Sequence, residues 1–537
     1  MKWIAAPKKD DQSDTLEKRL WAAADQLRAN SGLTAQQYSQ PVLGLIFLRF
    51  AEARFAALRA KLEKKAAGGR QGSKVDDPGA YHADGVLYLT PGARFDHLLS
   101  LPEGRAVGKA VNDAMRDIEK YNTQLAGVLP KTYEIFNGTL LKELLKLVSE
   151  IPVGVDYDAF GRIYEYFLAE FALTEGQQGG EFFTPSSIVR FLVEVLEPYH
   201  GRVLDPACGS GGMFVQSASF VTEHKKNPSD ELAIHGQEKV EATTALCRMN
   251  LAVHGLEGDI KKAISYYEDL HDATGKFDFV LANPPFNVNA VDKERLAAAV
   301  GPGRRFPFGL PRTDNANYLW IQLFYSALSA KGRAGFVMAN SASDARATEQ
   351  DIRQKMIEDK AVDAVVSVGP NMFYTVTLPC TLWFLDRAKK NTPRADKVLF
   401  LDARHVYRQI DRAHRDWPPE QVSFLANVVR LYRGEDADYT LGGNLVKAKL
   451  QDVFGKKLAY RDVLGLCKAA TIKEIEAQDW SLNPGRYVGV APGEEISDED
   501  FKEKFVALND ELEKLTGEAH DLEKVIARNV TAILEDK

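Results

Sequence analysis

Residues 202–216 read RVLDPACGSGGMFVQ. Val203 and Leu204 run as an apolar strand into Asp205. A turn of small residues follows, and a helical pattern opens at about Gly211. Strand, tight turn and helix in that order form the first half of a βαβ unit. Small residues let a ligand approach the backbone, and a helix N-terminus presents free N–H groups to it. Asp205 stands where an acceptor for a positively charged ligand is useful. The glycines do not follow GxGxxG and no GK[ST] is present, so neither a dinucleotide fingerprint nor a triphosphate cradle is read here. An ordinary tight turn fits the same residues.

The alternation continues on both sides of this stretch. LAIHGQE (232–238), FDFVLANPP (277–285), AGFVMAN (334–340), VDAVVSVGP (362–370) and LPCTLWFLDR (378–387) read as strands. VEATTALCRMNLAVHG (240–255) and NYLWIQLFYSALSAKG (317–332) read as helices between them. This predicts an α/β fold, a doubly wound Rossmann-like domain with a parallel sheet. Ligands of such sheets bind at the carboxyl ends of the strands.

Two of those ends carry chemistry. Glu238 closes the second strand, about 30 residues after Asp205, where an acid accepts hydrogen bonds from ribose hydroxyls. An acid favoured by a helix N-terminus fits Glu238 equally well. At 281–286 the chain reads LANPPF. Two prolines cannot continue a ladder, and they fix the backbone so that a main-chain carbonyl points at one place. Asn283 adds a side-chain carbonyl, and Phe286 offers a face on which a base can stack. Two acceptors beside a flat ring suit an exocyclic amino group on a planar base. A plain strand-ending turn is the competing reading of these residues taken alone.

The flanks differ in character. Residues 14–150 read as helical: Leu16, Leu20, Trp21, Ala24 and Leu27 lie at helical spacing, and a second helix carries Pro41 near its start. Segment 66–79 reads as a surface loop, and 390–490 is mixed. From Phe501 through Phe505, Leu508, Leu512, Leu515, Ala519, Leu522, Ile526 and Asn529 to Ile533, apolar spacings alternate between four and three. The expected division is a helical N-terminal domain (1–150), a catalytic domain (151–400), a mixed extension (401–490) and a coiled-coil-like docking helix (491–537).

The chain has 537 residues and a formal net charge of −7, so any contact with nucleic acid comes from local patches or a partner. Cys208, Cys247, Cys380 and Cys467 form no CxxC or Cys/His cluster. No structural zinc or other metal is read from them, and reduced cysteines point to the cytoplasm. No signal peptide is read, and no apolar run approaches the roughly 18 residues a membrane span needs.

The set GGEFFTPSSIVRFLVEVL (179–196), LDPACGSGGMF (204–214), GQE (236–238) and NPPF (283–286) resembles S-adenosylmethionine-dependent amino-methyltransferases of DNA. More narrowly, the chain resembles the methylation subunit of type I restriction-modification systems, from about residue 14 to its end. The resemblance implies N6-adenine methylation, since cytosine N4 enzymes typically carry serine where this chain has Asn283. It implies catalytic roles for Asn283, Pro284, Pro285 and Phe286. It places the contacts of the cofactor, S-adenosylmethionine, on Glu181, Phe182, Phe183, Thr184, Pro185 and Ser186, on Asp205, on Ser210, Gly211 and Gly212, and on Glu238. Glu181 stands where many relatives have glutamine or arginine. Asp269 falls roughly where relatives contact the adenine ring. The implied partners are double-stranded DNA, a DNA-specificity subunit binding two methylation subunits, and a restriction (translocase) subunit. The heptad helix is the candidate docking element.

After the tetrapeptide, residues 300–320 are rich in glycine and carry Arg304, Arg305 and Arg312. A loop that contacts DNA phosphates and an ordinary charged surface loop both fit. The cluster Arg404, Arg408, Arg412 and Arg415 reads as a solvated face. Two other functions compete for the same motifs: a protein glutamine N5-methyltransferase, a class that lacks the FTP segment and the heptads, and a non-catalytic DNA-clamping or assembly subunit.

Overall fold

A computed structural model describes residues 2–5, 12–67, 74–104, 106–152, 163–171, 184–312, 315–373, 379–411, 414–490 and scattered positions from 506 to 526. Glu181, Phe182, Phe183, Arg412 and most of the heptad stretch lie outside the described residues. The chain divides into two compact units, Met1–Val488 and Gly489–Lys537.

Twelve strands are described: β1 (Trp3–Ala5), β2 (Gly201–Asp205), β3 (Leu232–Glu238), β4 (Gly258–Lys262), β5 (Phe277–Ala282), β6 (Leu328–Ala339), β7 (Val362–Val368), β8 (Cys380–Asp386), β9 (Lys397–Asp402), β10 (Val406–Gln409), β11 (Arg415–Asp416) and β12 (Cys467–Thr471). Nine of them form one sheet in the order β12-β9-β7-β8-β6-β5-β2-β3-β4. From β4 to β6 every pairing is parallel. β8 then runs antiparallel between β6 and β7, and β12 antiparallel to β9. The doubly wound α/β architecture is therefore as the sequence predicts, with two reversed strands added. β12 comes from the stretch that reads as mixed, where short β runs lack a strong period.

The carboxyl halves of β2 and β5 are buried on both faces, as the middle of a sheet covered by helices must be. Side chains alternate between two cores. Val203 and Leu281 pack with helices Ser186–Leu196 and Pro419–Arg433 on one face. Leu204, Val280 and Ala282 pack with helix Asn317–Ala327 on the other. The sequence analysis does not name β4, whose GDIKK has one apolar side chain, Ile260; its pairing with β3 rather than apolar pattern makes it a strand.

The helical part holds a third core built from helices Ala35–Ala67, Ala106–Tyr121 and Gly138–Ser149. Helix Glu241–Val253 joins two cores. Cys247 and Leu251 face the sheet, while Met249 and Val253 pack with the helical part. Pro41 does not sit at a helix start. The helix begins at Ala35, behind Thr34, and Pro41 lies inside it. Thr34 and Gln37 form a reciprocal cap: Gln37 N donates to Thr34 Oγ1 at 3.3 Å and Thr34 N to Gln37 Oε1 at 3.1 Å. That Thr-x-x-Gln signal outweighs the proline as the start marker. No helix among the described residues is long and apolar enough to cross a membrane.

Trp383 anchors the middle of the sheet. It is fully buried, lies near Tyr318 and Phe336 at ring distances of 6.4 and 6.1 Å, and donates from Nε1 to Thr381 Oγ1 at 3.0 Å. Trp383→Ala leaves a large cavity there. It is expected to lower unfolding free energy by about 3–5 kcal/mol in chemical denaturation; a loss below about 1 kcal/mol would contradict this packing.

Candidate functional site

The carboxyl ends of β2, β3 and β5 lie side by side because the three strands pair in parallel, with Asp205 opposite Gly236 and Leu204 opposite Val280. A cavity of about 570 Å³ opens at those ends. Thr184, Asp205, Ser210, Gly212, Glu238, Asn283, Pro285 and Phe286 all line it. Residues expected from separate motifs, 184 to 286, thus meet at one place.

The Gly-rich turn works by shape. Gly211 caps helix Gly212–Glu223 at φ 85°, and a Cβ there would meet Cys247 Sγ at 2.9 Å. A side chain is excluded by backbone conformation and by space together. A Cβ on Gly212 would meet nothing within 4 Å, which leaves the first helical turn open toward the cavity. Glu238 shapes the same turn: its Oε2 accepts from Gly209 N at 3.1 Å and its Oε1 from Val240 N at 3.1 Å. Asp205 is buried and accepts from Ala207 N at 2.9 Å. Burial pushes its carboxyl up to about 8, with the nearby Glu238 adding to the rise and the Ala207 amide opposing it. Among the described residues no cation pairs with Asp205, and a buried acid so placed favours a bound cation.

At the other side of the cavity Asn283 Nδ2 donates to Thr184 Oγ1 at 2.8 Å. This bond spans 99 residues and fixes which end of the amide faces which way, so the oxygen is the end turned away from Thr184. The chain after the tetrapeptide is pinned by a reciprocal pair: Asn287 N donates to Asn317 Oδ1 at 2.9 Å and Asn317 Nδ2 to Asn287 Oδ1 at 3.0 Å. Phe286 packs at the edge of the sheet core and lines the cavity.

Several expected residues lie elsewhere. Asp269 and Arg305 line a separate cavity of about 20 Å³ and face each other at 3.7 Å. Asp269 also accepts from Ala273 N at 3.0 Å, so it closes its own turn. Arg304 is exposed and donates to Ala298 O at 2.7 Å, and Arg312 is exposed. Pro185, Ser186, Gly211 and Pro284 adjoin lining residues without lining the cavity themselves.

The structure adds residues that the sequence analysis does not single out. Ser39 and Leu43 of the helical part line the cavity, with Leu168 and Phe171. The signal was a serine on the otherwise apolar face of Val42, Leu43 and Ile46. Tyr266 and Trp320 form another wall, edge to face at 5.6 Å. The Trp320 indole N–H is buried and meets no acceptor among the described residues.

Comparison with known proteins gives a consistent family. Residues 155–496 match the family model for N-6 DNA Methylase, and residues 16–148 the model for the HsdM N-terminal domain. The chain is similar to the type I restriction enzyme MjaIX methylase subunit of Methanocaldococcus jannaschii, 35% identical across 94% of this chain and 90% of that protein. It is 36% identical to the type I restriction enzyme HindI methylase subunit of Haemophilus influenzae, over 79% of this chain and 92% of the relative. Among solved structures, a type I restriction-modification methyltransferase subunit from Streptococcus thermophilus matches at a TM-score of 0.69 and 20% identity, covering 89% of this chain and all of that one. A chain from a study of type I restriction-modification complex assembly matches at 0.58 and 18% identity, covering 97% and 99%. These two likenesses establish the fold.

Asp205 gives a pH signature. Its folded pKa lies above the ordinary carboxylate value, so the folded protein keeps a proton that the unfolded chain releases. With the cavity empty, this group therefore costs stability as pH rises from about 4 to about 8. Denaturation midpoints across that window should fall more for the wild type than for Asp205→Asn. A cationic ligand favours the carboxylate, so its binding at pH 7 should release a proton. Calorimetry in buffers of different ionisation heat reads that release, and a buffer-independent heat would contradict it.

Proposed function

The chain belongs to the N-6 DNA Methylase family, as a type I restriction enzyme methylase subunit, and from that premise we propose how its cavity works. It is a DNA adenine N6-methyltransferase subunit of a type I restriction-modification system. We assign S-adenosylmethionine to the cavity. Its contacts are assigned to the lining residues Thr184, Asp205, Ser210, Gly212 and Glu238, with Pro185, Ser186 and Gly211 shaping the turns beside them; Glu181, Phe182 and Phe183 are carried by the FTP motif.

The residues fit such a group. The cavity, about 570 Å³, falls within the 300–1,000 Å³ of ordinary ligand pockets. Asp205 and Glu238 favour a cation, and the orphaned indole N–H of Trp320 favours a ring nitrogen. When bound, S-adenosylmethionine supplies a methyl group made electrophilic by its sulfonium. The chain's own part is to hold the amine. The target adenine leaves the duplex, where its N6 is paired and unreachable. Phe286 stacks the base. Asn283 Oδ1 and the Pro284 carbonyl accept the two N6 hydrogens, which draws the nitrogen toward tetrahedral geometry and turns its lone pair outward. Positioning and fixed dipoles carry the catalysis. The hydrogen bond from Asn283 to Thr184 is the observation that carries this reading, since it joins the FTP segment to the reacting tetrapeptide.

Exposed Arg304 and Arg312 are assigned to DNA phosphates. A specificity subunit holding two copies of this chain, and a restriction subunit, complete the proposed complex. The heptad stretch is assigned as its docking element; Leu522 and Ile526, on the heptad stripe, are 62% and 60% exposed. The divisions at residues 150, 400 and 490 are proposed as functional boundaries of the same arrangement.

Asn283→Ala should bind cofactor with little change while methyl transfer falls at least about a hundredfold. Near-normal incorporation of labelled methyl into DNA adenine would reject the assignment. Deleting residues 498–537 should abolish assembly with the specificity subunit and spare cofactor binding; intact assembly would place docking elsewhere.

A further inference from the structure

Arg305 sits in a basic loop, yet its guanidinium is turned inward. It donates from Nη1 to Tyr266 O at 3.4 Å and from Nη2 to Ser265 O, and Nε faces Asp269 at 3.7 Å. Its side chain is 17% exposed. Ser265 is a partition. It lines the large cavity on one side and the small cavity shared with Arg305, Asp269 and Gln237 on the other. Its hydroxyl donates to Pro206 O, next to Asp205, and accepts from Gln237 Nε2 at 3.2 Å.

Ser265 and Tyr266 are the central residues of a turn closed by Tyr267 N to Ile264 O at 2.9 Å. The turn does not use their amides, and the Tyr266 amide meets no backbone acceptor among the described residues. In a trans peptide the N–H points opposite to the C=O. Arg305 holds the Ser265 carbonyl on the small-cavity side, so the Tyr266 N–H is directed to the large-cavity side. The wall lies just past Glu238: Ala263 N donates to Glu238 O at 2.9 Å, and the chain runs on to Ser265.

We propose that Arg305 is a positioning residue that orients the Ser265–Tyr266 peptide, so that the Tyr266 N–H donates to a ring nitrogen of the cofactor's purine. This rests on the assignment of S-adenosylmethionine above. It makes the site selective for a purine with an acceptor at N1. Adenine has one; hypoxanthine carries N1–H and presents a donor to a donor. A site built to pair a polar group rejects the analogue that leaves it unpaired. The loop that follows the reacting tetrapeptide thereby braces the cofactor wall, and phosphate contact is left to Arg304 and Arg312.

The test compares full-length wild type with Arg305→Met, Arg305→Lys and Arg304→Ala. Calorimetry gives the affinity for S-adenosylhomocysteine and for S-inosylhomocysteine. Arg305→Met should bind the adenine form about tenfold more weakly, a loss of one oriented hydrogen bond, and its preference over the inosine form should shrink by a similar factor. Arg305→Lys, which keeps the charge and one carbonyl bond, should recover part of both. With the specificity subunit present, Arg305→Met should raise KM for S-adenosylmethionine, keep kcat at saturation and leave the salt slope of DNA binding unchanged, while Arg304→Ala lowers that slope by about one. Equal weakening of both purines, unchanged binding, or a salt slope lowered by Arg305→Met overturns the proposal. If Arg305→Met does not fold, an unaltered purine preference in Arg305→Lys overturns it alone. The calorimetric readouts need no methyl transfer, so they can fail while the assigned reaction stands.

Discussion

The parallel pairing of β2, with β3 on one side and β5 on the other, is the constraint on which the site depends. Three strands running the same way must deliver their carboxyl ends to one edge. Asp205, Glu238 and Asn283 come from three different motifs, yet pairing alone makes them neighbours. The helices are obliged by the same arrangement, because parallel strands need crossovers and those crossovers bury both faces. The Gly-rich turn then fits at that edge only because Gly211 carries no side chain against Cys247.

Two buried acids show how the chain separates support from function. Asp363, at the start of β7, is fully buried, and burial alone would raise its pKa. Arg433 at 3.0 Å and Arg394 outweigh that and hold its carboxyl below the usual range. Asp205 is buried as deeply, but among the described residues it is a backbone amide that supports it, and Glu238 opposes its charge. The first acid is satisfied within the fold. The second is poised for a charge supplied from outside, which is what marks a ligand site among structural ion pairs.

Much of this was legible in the sequence because strand ends announce themselves. Asp205 and Glu238 end their strands, Asn283 directly follows a third and Phe286 closes the turn after it, and all four line the cavity. What was not legible lies off the strand ends. Ser39, Tyr266 and Trp320 reach the site through packing between elements far apart in the chain, and no local period records such contacts. Arg305 was misleading for a physical reason: a charged residue in a glycine-rich loop reads as surface, while its carbonyl partners at 265 and 266 are set by tertiary structure. β4 was hidden because the β3 edge, not an apolar pattern, recruits it. Pro41 misdated a helix whose cap lies at Thr34.

Helix Glu241–Val253 gives its residues to both the sheet core and the helical core. The seam between the two regions therefore does not follow the backbone. A chimera of two relatives joined near residue 150 would pair Met249 and Val253 of one parent with the helical core of the other. Recombination that respects the seam must move residues 241–253 together with the N-terminal helices.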